Sequence, residues 1–139
     1  MVDDELLTVE RLYPRAAKHI CNGVGPGFLA RLLPRLFKRW LRCWVNQELD
    51  RAARGHDLRY WIGGRLVEKT AADLEFGAAC LRAAADYSGW RRYELALVSW
   101  AYLKAVESWG GCIAFHWGRR RGAAELLVLE IVATREDRR

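Results

Sequence analysis

Apolar residues recur every three or four positions along most of the chain, which is the period of an amphipathic helix. Four ranges carry this pattern: 3–13, 47–62, 66–85 and 90–109. Pro14, Gly63-Gly64 and Gly110-Gly111 interrupt it, and proline and paired glycines end helices. We therefore predict an all-α fold in which 47–62 and 66–85 form an antiparallel hairpin. Residues 113–117 and 126–132 fit either a helix or a strand.

Two segments lie between the first and second predicted helices. Residues 23–27 contain three glycines and one proline, so 21–27 is predicted to be a loop. Residues 28–45 alternate apolar pairs with arginine and lysine, which predicts a basic amphipathic helix. Its apolar stripe fits a core-facing surface or a membrane-contacting one, and the pattern leaves both open. Residues 134–139 form a charged tail that we expect to fray.

Composition limits the class of protein. With 139 residues we expect one domain, residues 1–139. The 23 Lys and Arg against 17 Asp and Glu give a net charge of +6, which favours an anionic partner such as a phospholipid surface or a nucleic acid. Seven Trp exceed what a small core holds comfortably, so we expect some of them at a wet boundary.

Targeting and cysteine content give further expectations. The first ten residues are acidic, and no apolar run approaches the roughly 18 residues that span a bilayer. We therefore expect a protein that is cytoplasmic as made, with delivery by a phage or a secretion machine as a hypothesis.

The four cysteines form no C-x-x-C pair, which favours reduced, packed thiols over a zinc site.

His56 and Asp57 are neighbours on a predicted helix, so their side chains diverge by about 100° and need separate partners. Tyr60 lies one turn after His56, and Asp73 lies at a similar distance beyond the hairpin turn. The hairpin therefore brings Asp73 opposite His56, as a His-Asp dyad with a supporting hydroxyl requires. Asp57 would face the glycine-rich loop, whose carbonyls and one carboxylate form a hard-oxygen site suited to Ca²⁺. A capped or solvated surface pair is the other interpretation of His56 and Asp57.

Three short motifs stand in order along the chain: Asn-Gly-Val-Gly-Pro-Gly at 22–27, His-Asp-Leu-Arg-Tyr at 56–60 and Ala-Asp-Leu-Glu-Phe at 72–76. Together they resemble the calcium-dependent phospholipase A2 superfamily, and most closely its short viral and bacterial members. That family has a glycine-rich calcium loop, a helix bearing H-D-x-x-Y, and a helix bearing an Asp. The resemblance implies a small, mostly helical domain that hydrolyses the sn-2 ester of glycerophospholipids with Ca²⁺.

The resemblance also implies a role for each matching residue. His56 would be the general base, Asp73 its dyad partner and Tyr60 a hydrogen-bonding support. Asp57 would be a calcium ligand. Three glycines of the loop would offer carbonyl oxygens to the ion: Gly23, Gly25 and Gly27.

The chain departs from the family pattern at three points. Secreted members carry paired cysteines before the His, whereas residues 51–55 contain none, which implies a disulfide-poor branch. Residues 29–50 resemble an insertion between the loop and the catalytic helix. Val24 stands where many members have a Cys or an aromatic residue, and Gly55, directly before His56, weakens the catalytic helix by roughly 1 kcal/mol relative to alanine.

Two other functions compete with a calcium-dependent phospholipase. A non-catalytic phospholipid-binding or membrane-perturbing protein on the same fold is favoured by the basic segment 28–45. A small nucleic-acid binder fits the charge, yet the chain lacks a recognised binding signature, so a nucleic-acid partner is not expected. Headgroup preference, acyl-chain length and oligomeric state are left open, and His19 and His116 are assigned no role.

Overall fold

The structure is a computed structural model that describes residues 2–21, 47–107 and 109–137. These residues form seven helices: α1 (Val2–Leu12), α2 (Pro14–Ile20), α3 (Gln47–Ile62), α4 (Leu66–Ala85), α5 (Trp90–Glu107), α6 (Trp109–Ala114) and α7 (Ala123–Glu136). The described ranges contain no strand, only an isolated bridge between Gly64 and Trp117. The predicted all-α class is confirmed. The glycine-rich loop and the basic segment 28–45 lie outside the described residues.

Helix α3 ends at Ile62, and helix α4 runs from Leu66 to Ala85, as the sequence predicts. The structure describes the helix predicted for 90–109 as α5 up to Glu107, and it describes α6 from Trp109 to Ala114, a helix that includes Gly110-Gly111. The paired glycines therefore do not break a helix here, because glycine weakens a helix by about 1 kcal/mol per residue without forbidding it.

Helix α7 includes residues 126–132, for which the sequence allowed a helix or a strand. Glu125 promotes its start, because its Oε2 accepts a hydrogen bond from the amide of Gly122 at 2.9 Å. The helix continues to Glu136, into the tail that was expected to fray. Arg15 of α2 holds this end, donating to Thr134 Oγ1 at 2.6 Å and lying 3.3 Å from Asp137 Oδ2.

Helix α3 lies between two apolar clusters. The first joins α1, α2, α3 and α7 through Leu6, Ala16, Ile20, Cys21, Leu58 and Leu126. The second joins α3, α4 and α5 through Leu49, Ala53, Phe76, Cys80, Ala84 and Leu95. Each fully buried leucine stabilises the fold by roughly 1.5–3 kcal/mol. Packing on opposite sides therefore fixes the rotation of α3, and with it the direction of each side chain.

The turn between α3 and α4 is locked by residues from the far end of the chain. Gly63 and Gly64 have φ angles of 75° and 140°, which side chains other than glycine rarely adopt. The amide of Gly64 donates to the carbonyl of His116 at 2.9 Å, and the amide of His116 donates to the carbonyl of Tyr60 at 3.1 Å. A Cβ on Gly63 would lie 2.1 Å from the His116 oxygen. This close approach requires glycine and sets the hairpin geometry.

The described cysteines Cys21, Cys80 and Cys112 are free thiols. Cys21 and Cys80 are buried in the two apolar clusters, and burial raises the pKa of Cys80 to about 11. Within residues 2–21, 47–107 and 109–137, no helix combines the length and apolar character that crossing a membrane requires.

Candidate active site

His56, Tyr60 and Asp73 meet in the interior between α3 and α4. His56 Nε2 lies 3.0 Å from Asp73 Oδ1, and the Tyr60 hydroxyl donates to the same oxygen at 2.7 Å. His56 and Tyr60 are one turn apart on α3, and the antiparallel course of α4 brings Asp73 opposite both. The structure therefore brings together the three residues predicted for the dyad and its supporting hydroxyl.

The His56 imidazole is buried and held between aromatic rings. The side chains of His56 and Asp73 are 6% and 8% exposed. The ring centroid of His56 lies 4.0 Å from that of Tyr60 and 4.9 Å from that of Phe76. Phe115 packs edge-on against Tyr60 at 5.3 Å. These contacts fix the orientation of the imidazole, so the interpretation of His56 as a solvated surface residue is wrong.

A fourth side chain, Lys69, joins the site. Its Nζ donates to Asp73 Oδ2 at 2.6 Å, and its side chain is buried. Asp73 therefore accepts hydrogen bonds on both oxygens, and a positive charge faces it within the protein. The i,i+4 spacing of Lys69 and Asp73 on α4 is a signal for such a pair. The sequence analysis missed Lys69 because a lysine at that spacing is ordinarily a surface residue.

The carbonyl of Val106 completes the network. Val106 lies on α5. Lys69 Nζ donates to this oxygen at 3.0 Å, and the Tyr60 hydroxyl lies 3.2 Å from it. The site is thus tied to α5 as well as to α3 and α4.

The surroundings set the charge of Asp73 and Tyr60. Burial acts to raise the pKa of Asp73, but hydrogen bonds from His56, Lys69 and Tyr60 outweigh it, so that this pKa lies below its usual value. The pKa of Tyr60 is raised by burial first, and then by its hydrogen bond to the Asp73 carboxylate. Asp73 is therefore an anion at neutral pH and Tyr60 a neutral hydrogen-bond donor.

Asp57 directly follows His56 on α3 and is partly buried. The pKa of the Cys21 thiol is raised to about 12, by burial first and next by the negative charge of Asp57. Cys21 directly precedes the glycine-rich loop. The loop glycines Gly23, Gly25 and Gly27, predicted to bind calcium through their carbonyls, lie outside the described residues.

Of the residues predicted to bind calcium, the structure describes only Asp57. The described ranges hold no group of three or more His, Cys, Asp or Glu side chains that could bind a metal. The predicted site of one carboxylate and several loop carbonyls needs no such group, because Ca²⁺ takes hard oxygen ligands, including backbone carbonyls.

A cleft of about 290 Å³ lies between α3 and α4 and reaches His56. Small and apolar residues form much of its lining: Ala52, Gly55, Ala72, Phe76, Ala78 and Ala79. Charged residues complete it: Arg51, Arg59, Arg82 and Glu75. Arg59 lies 3.5 Å from Glu5 of α1 and 3.4 Å from Glu75 of α4, which fixes its position. The cleft therefore combines an apolar lining, an excess of positive charge and a buried histidine.

Other residues considered in the sequence have structural positions. His116 contributes its backbone to the hairpin turn. Arg121 donates to the carbonyl of Trp61 at 3.2 Å and lies 5.1 Å from the centre of its ring. Arg119 pairs with Glu125 at the start of α7. At least part of this basic run therefore stabilises the fold.

The family resemblance depends on the three ordered motifs and on the contacts of His56, Tyr60 and Asp73. Comparison of the chain with protein-family models, with curated proteins and with solved structures found no match.

Proposed function

We propose that this chain hydrolyses the sn-2 acyl ester of glycerophospholipids, as an enzyme of the phospholipase A2 type. The observation that carries the proposal is the hydrogen bond between His56 and Asp73 beside a cleft that His56 helps to line. A buried His-Asp pair with a fixed ring is the arrangement that general-base catalysis requires. The phospholipid substrate is inferred from the family resemblance and from the lining of the cleft.

In the proposed reaction His56 removes a proton from water. Because Nε2 faces Asp73, the other ring nitrogen, Nδ1, takes the proton. The oxygen of that water bonds to the ester carbonyl carbon, and the imidazolium is stabilised by the Asp73 carboxylate. When the bond to the glycerol oxygen breaks, the proton passes from His56 to that oxygen. The products are a fatty acid and a lysophospholipid, so that one water is consumed per ester.

Calcium completes the proposal. Asp57 and the carbonyls of Gly23, Gly25 and Gly27 would hold the ion. Bound there, Ca²⁺ would supply a positive charge that polarises the ester carbonyl and stabilises its oxyanion. The family resemblance assigns Asp57, directly after His56, as the carboxylate ligand.

The cleft favours an anionic lipid. Its alanine and phenylalanine lining suits an acyl chain, and Arg51 and Arg82 offer guanidinium groups to a phosphate. Glu75 is close to Arg59, so these two charges offset one another. The net positive charge of the cleft therefore comes from Arg51 and Arg82. The overall charge of +6 favours the same class of surface.

Helix α5 offers a surface that suits the membrane partner. Trp90, Tyr93, Leu97 and Trp100 recur every three or four residues, and each is more than half exposed. Tryptophan and tyrosine favour the boundary between water and lipid, because each joins an apolar ring to a polar group. We propose that this face contacts phospholipid headgroups.

The ion pair of Lys69 and Asp73 favours a second candidate, a non-catalytic lipid-binding protein on the same fold. A lysine charge beside Asp73 offsets part of the negative charge that would stabilise an imidazolium. In this case the buried network serves folding alone, and vesicle binding does not depend on His56.

The test is product analysis with phosphatidylglycerol that carries different acyl chains at sn-1 and sn-2. The enzyme proposal predicts release of the sn-2 fatty acid together with the matching lysophospholipid. His56→Gln should abolish release, whereas His19→Gln, a change at an exposed histidine on α2, should leave it intact. Vesicle binding by wild type and His56→Gln alike, without fatty acid from either, would instead support the lipid-binding protein.

A further inference from the structure

The outer face of α4 is apolar along nearly the whole helix. Six residues form it, and we call them the α4 seam: Val67, Ala71, Leu74, Ala78, Leu81 and Ala85. Val67, Leu74 and Leu81 are 66%, 64% and 62% exposed, and the three alanines are also exposed. The opposite face of α4 packs between α3 and α5. The seam therefore points away from the helices to which α4 is packed.

The spacing of the seam is that of a coiled coil. Successive members are separated by four, three, four, three and four residues, which is the alternation of a heptad repeat. Large and small residues also alternate, with Val or Leu at one heptad position and Ala at the other. A helix that packs only against its own hairpin needs no such repeat on its outer face. The pattern is typical of close packing against another helix.

The seam is complementary to itself in the antiparallel direction. If a second α4 lies across the first about a two-fold axis near residue 76, three facing pairs arise: Val67 with Ala85, Ala71 with Leu81, and Leu74 with Ala78. Each pair occurs twice, and in each a large side chain meets an alanine. Pairs of a large side chain with an alanine let the two helix axes approach to about 8 Å, the close end of the usual range of distances between helix axes. A two-fold interface needs this self-complementarity.

The charges beside the seam favour the same arrangement. Glu68 and Arg82 occupy equivalent heptad positions near its two ends. In the antiparallel pair Glu68 of one copy faces Arg82 of the other, and the contact occurs twice. Glu75 lies near the two-fold axis and would meet its own equivalent, but Arg59 lies 3.4 Å from it and offsets its charge.

The exposed area is enough for a modest interface. Three large side chains that are about two-thirds exposed, together with three alanines and the flanking residues, offer roughly 500 Å² per copy. Two copies then bury about 1,000 Å², near the lower limit for a specific interface. A patch of this size is at the upper end of what a monomer usually exposes.

We propose that α4 binds α4 of a second copy of this chain, antiparallel, through the seam. Ala78 and Arg82 also line the cleft that reaches His56, so the second copy would border the mouth of the cleft. The inference depends on the seam and its flanking charges, and it holds whether or not the chain hydrolyses lipid.

The test is sedimentation equilibrium of the full chain, in reducing buffer without lipid, over a concentration series. We expect a reversible dimer in the micromolar range. Leu74→Glu should raise the dimer dissociation constant at least 30-fold, because it places a charge in the centre of the interface. Leu127→Glu on α7, also at an exposed leucine, should leave it unchanged. Circular dichroism of both variants checks that they fold.

A charge exchange tests the antiparallel pairing. Arg82→Glu should weaken the dimer by placing a glutamate opposite Glu68, and adding Glu68→Arg should restore it. A wild type that is monomeric at all concentrations overturns the proposal. Loss of vesicle binding in Leu74→Glu with a monomeric wild type would assign the seam to lipid. A strong loss of stability in that variant would assign it to contact within the chain.

Discussion

Lys69 Nζ lies 2.6 Å from Asp73 Oδ2, one helical turn away on α4, and both side chains are buried. The other carboxylate oxygen, Oδ1, accepts hydrogen bonds from His56 Nε2 and from the Tyr60 hydroxyl. One anion thus accepts hydrogen bonds from three side chains on two helices, and the Val106 carbonyl links α5 to the same network. The buried Asp73 carboxylate is therefore stabilised by the hydrogen bonds that its neighbours donate.

Removal of Lys69 should destabilise the fold. Lys69→Met keeps a similar volume but leaves the buried Asp73 carboxylate without its ammonium partner. We expect the free energy of unfolding to fall by about 3 kcal/mol, since loss of one member of a buried pair leaves an uncompensated charge. Urea denaturation of the two proteins measures the difference.

Lys104→Met is the matched control, because Lys104 pairs with Glu107 on the surface of α5. It should change stability by less than about 1 kcal/mol, as is usual for exposed pairs. In the double variant Lys69→Met with Asp73→Asn, part of the lost stability should return. Equal losses in Lys69→Met and Lys104→Met would contradict the buried network.

Stability should depend on Asp73 at acid pH. Its pKa is lowered in the folded protein relative to an unfolded value of about 3.9. The stabilisation is therefore fully present above that unfolded value and is lost as the pH falls through the lower folded value. Urea denaturation between about pH 2 and pH 5 should show a steeper fall for wild type than for Asp73→Asn. The comparison with Asp73→Asn separates the effect of Asp73 from those of Glu68 and Glu125, whose pKa values are also lowered. Parallel pH profiles would refute the assignment to Asp73.

Gly63→Ala tests the hairpin turn. A Cβ there meets the His116 oxygen at 2.1 Å, and φ is +75°. We expect the free energy of unfolding to fall by at least about 3 kcal/mol, because the backbone of His116 must move and its hydrogen bond to Gly64 is disturbed.

Gly89→Ala is the control, with φ at +61° and open space around the new Cβ. It should lose about 1–2 kcal/mol from backbone strain alone. Similar losses at the two positions would mean that the contact with His116 is unimportant.

The arginines of the cleft should set lipid preference. Arg51→Gln should lower the rate of phosphatidylglycerol hydrolysis by up to about tenfold, the effect of one charged hydrogen bond, and change phosphatidylcholine hydrolysis less. Arg11→Gln on α1 removes the same charge outside the cleft and is the control. A fatty-acid release assay on the two lipids measures both rates. An equal decrease for both variants would show that only net charge matters.

The sequence predicted the hairpin because its signals are local. Gly63-Gly64 marks the turn, and the lengths of the two helices place Asp73 opposite His56 and Tyr60. Lys69 was missed, since helix spacing shows that it can reach Asp73 but not that α5 covers both. The hydrogen bond from Lys69 to Val106 joins residues 37 positions apart, so it depends on tertiary packing. Residues 126–132 stayed ambiguous because their apolar run lacks a clear period.

The most direct test of the central claim is fatty-acid release from mixed anionic and zwitterionic phospholipid vesicles, by wild type and by His56→Gln, each with Ca²⁺ and with excess chelator. The proposal predicts release only by wild type with Ca²⁺. Release that persists in His56→Gln, or that is unaffected by chelator, would contradict the assigned base or the ion. No release in any condition, with vesicle binding intact, would contradict the enzyme and favour the lipid-binding protein.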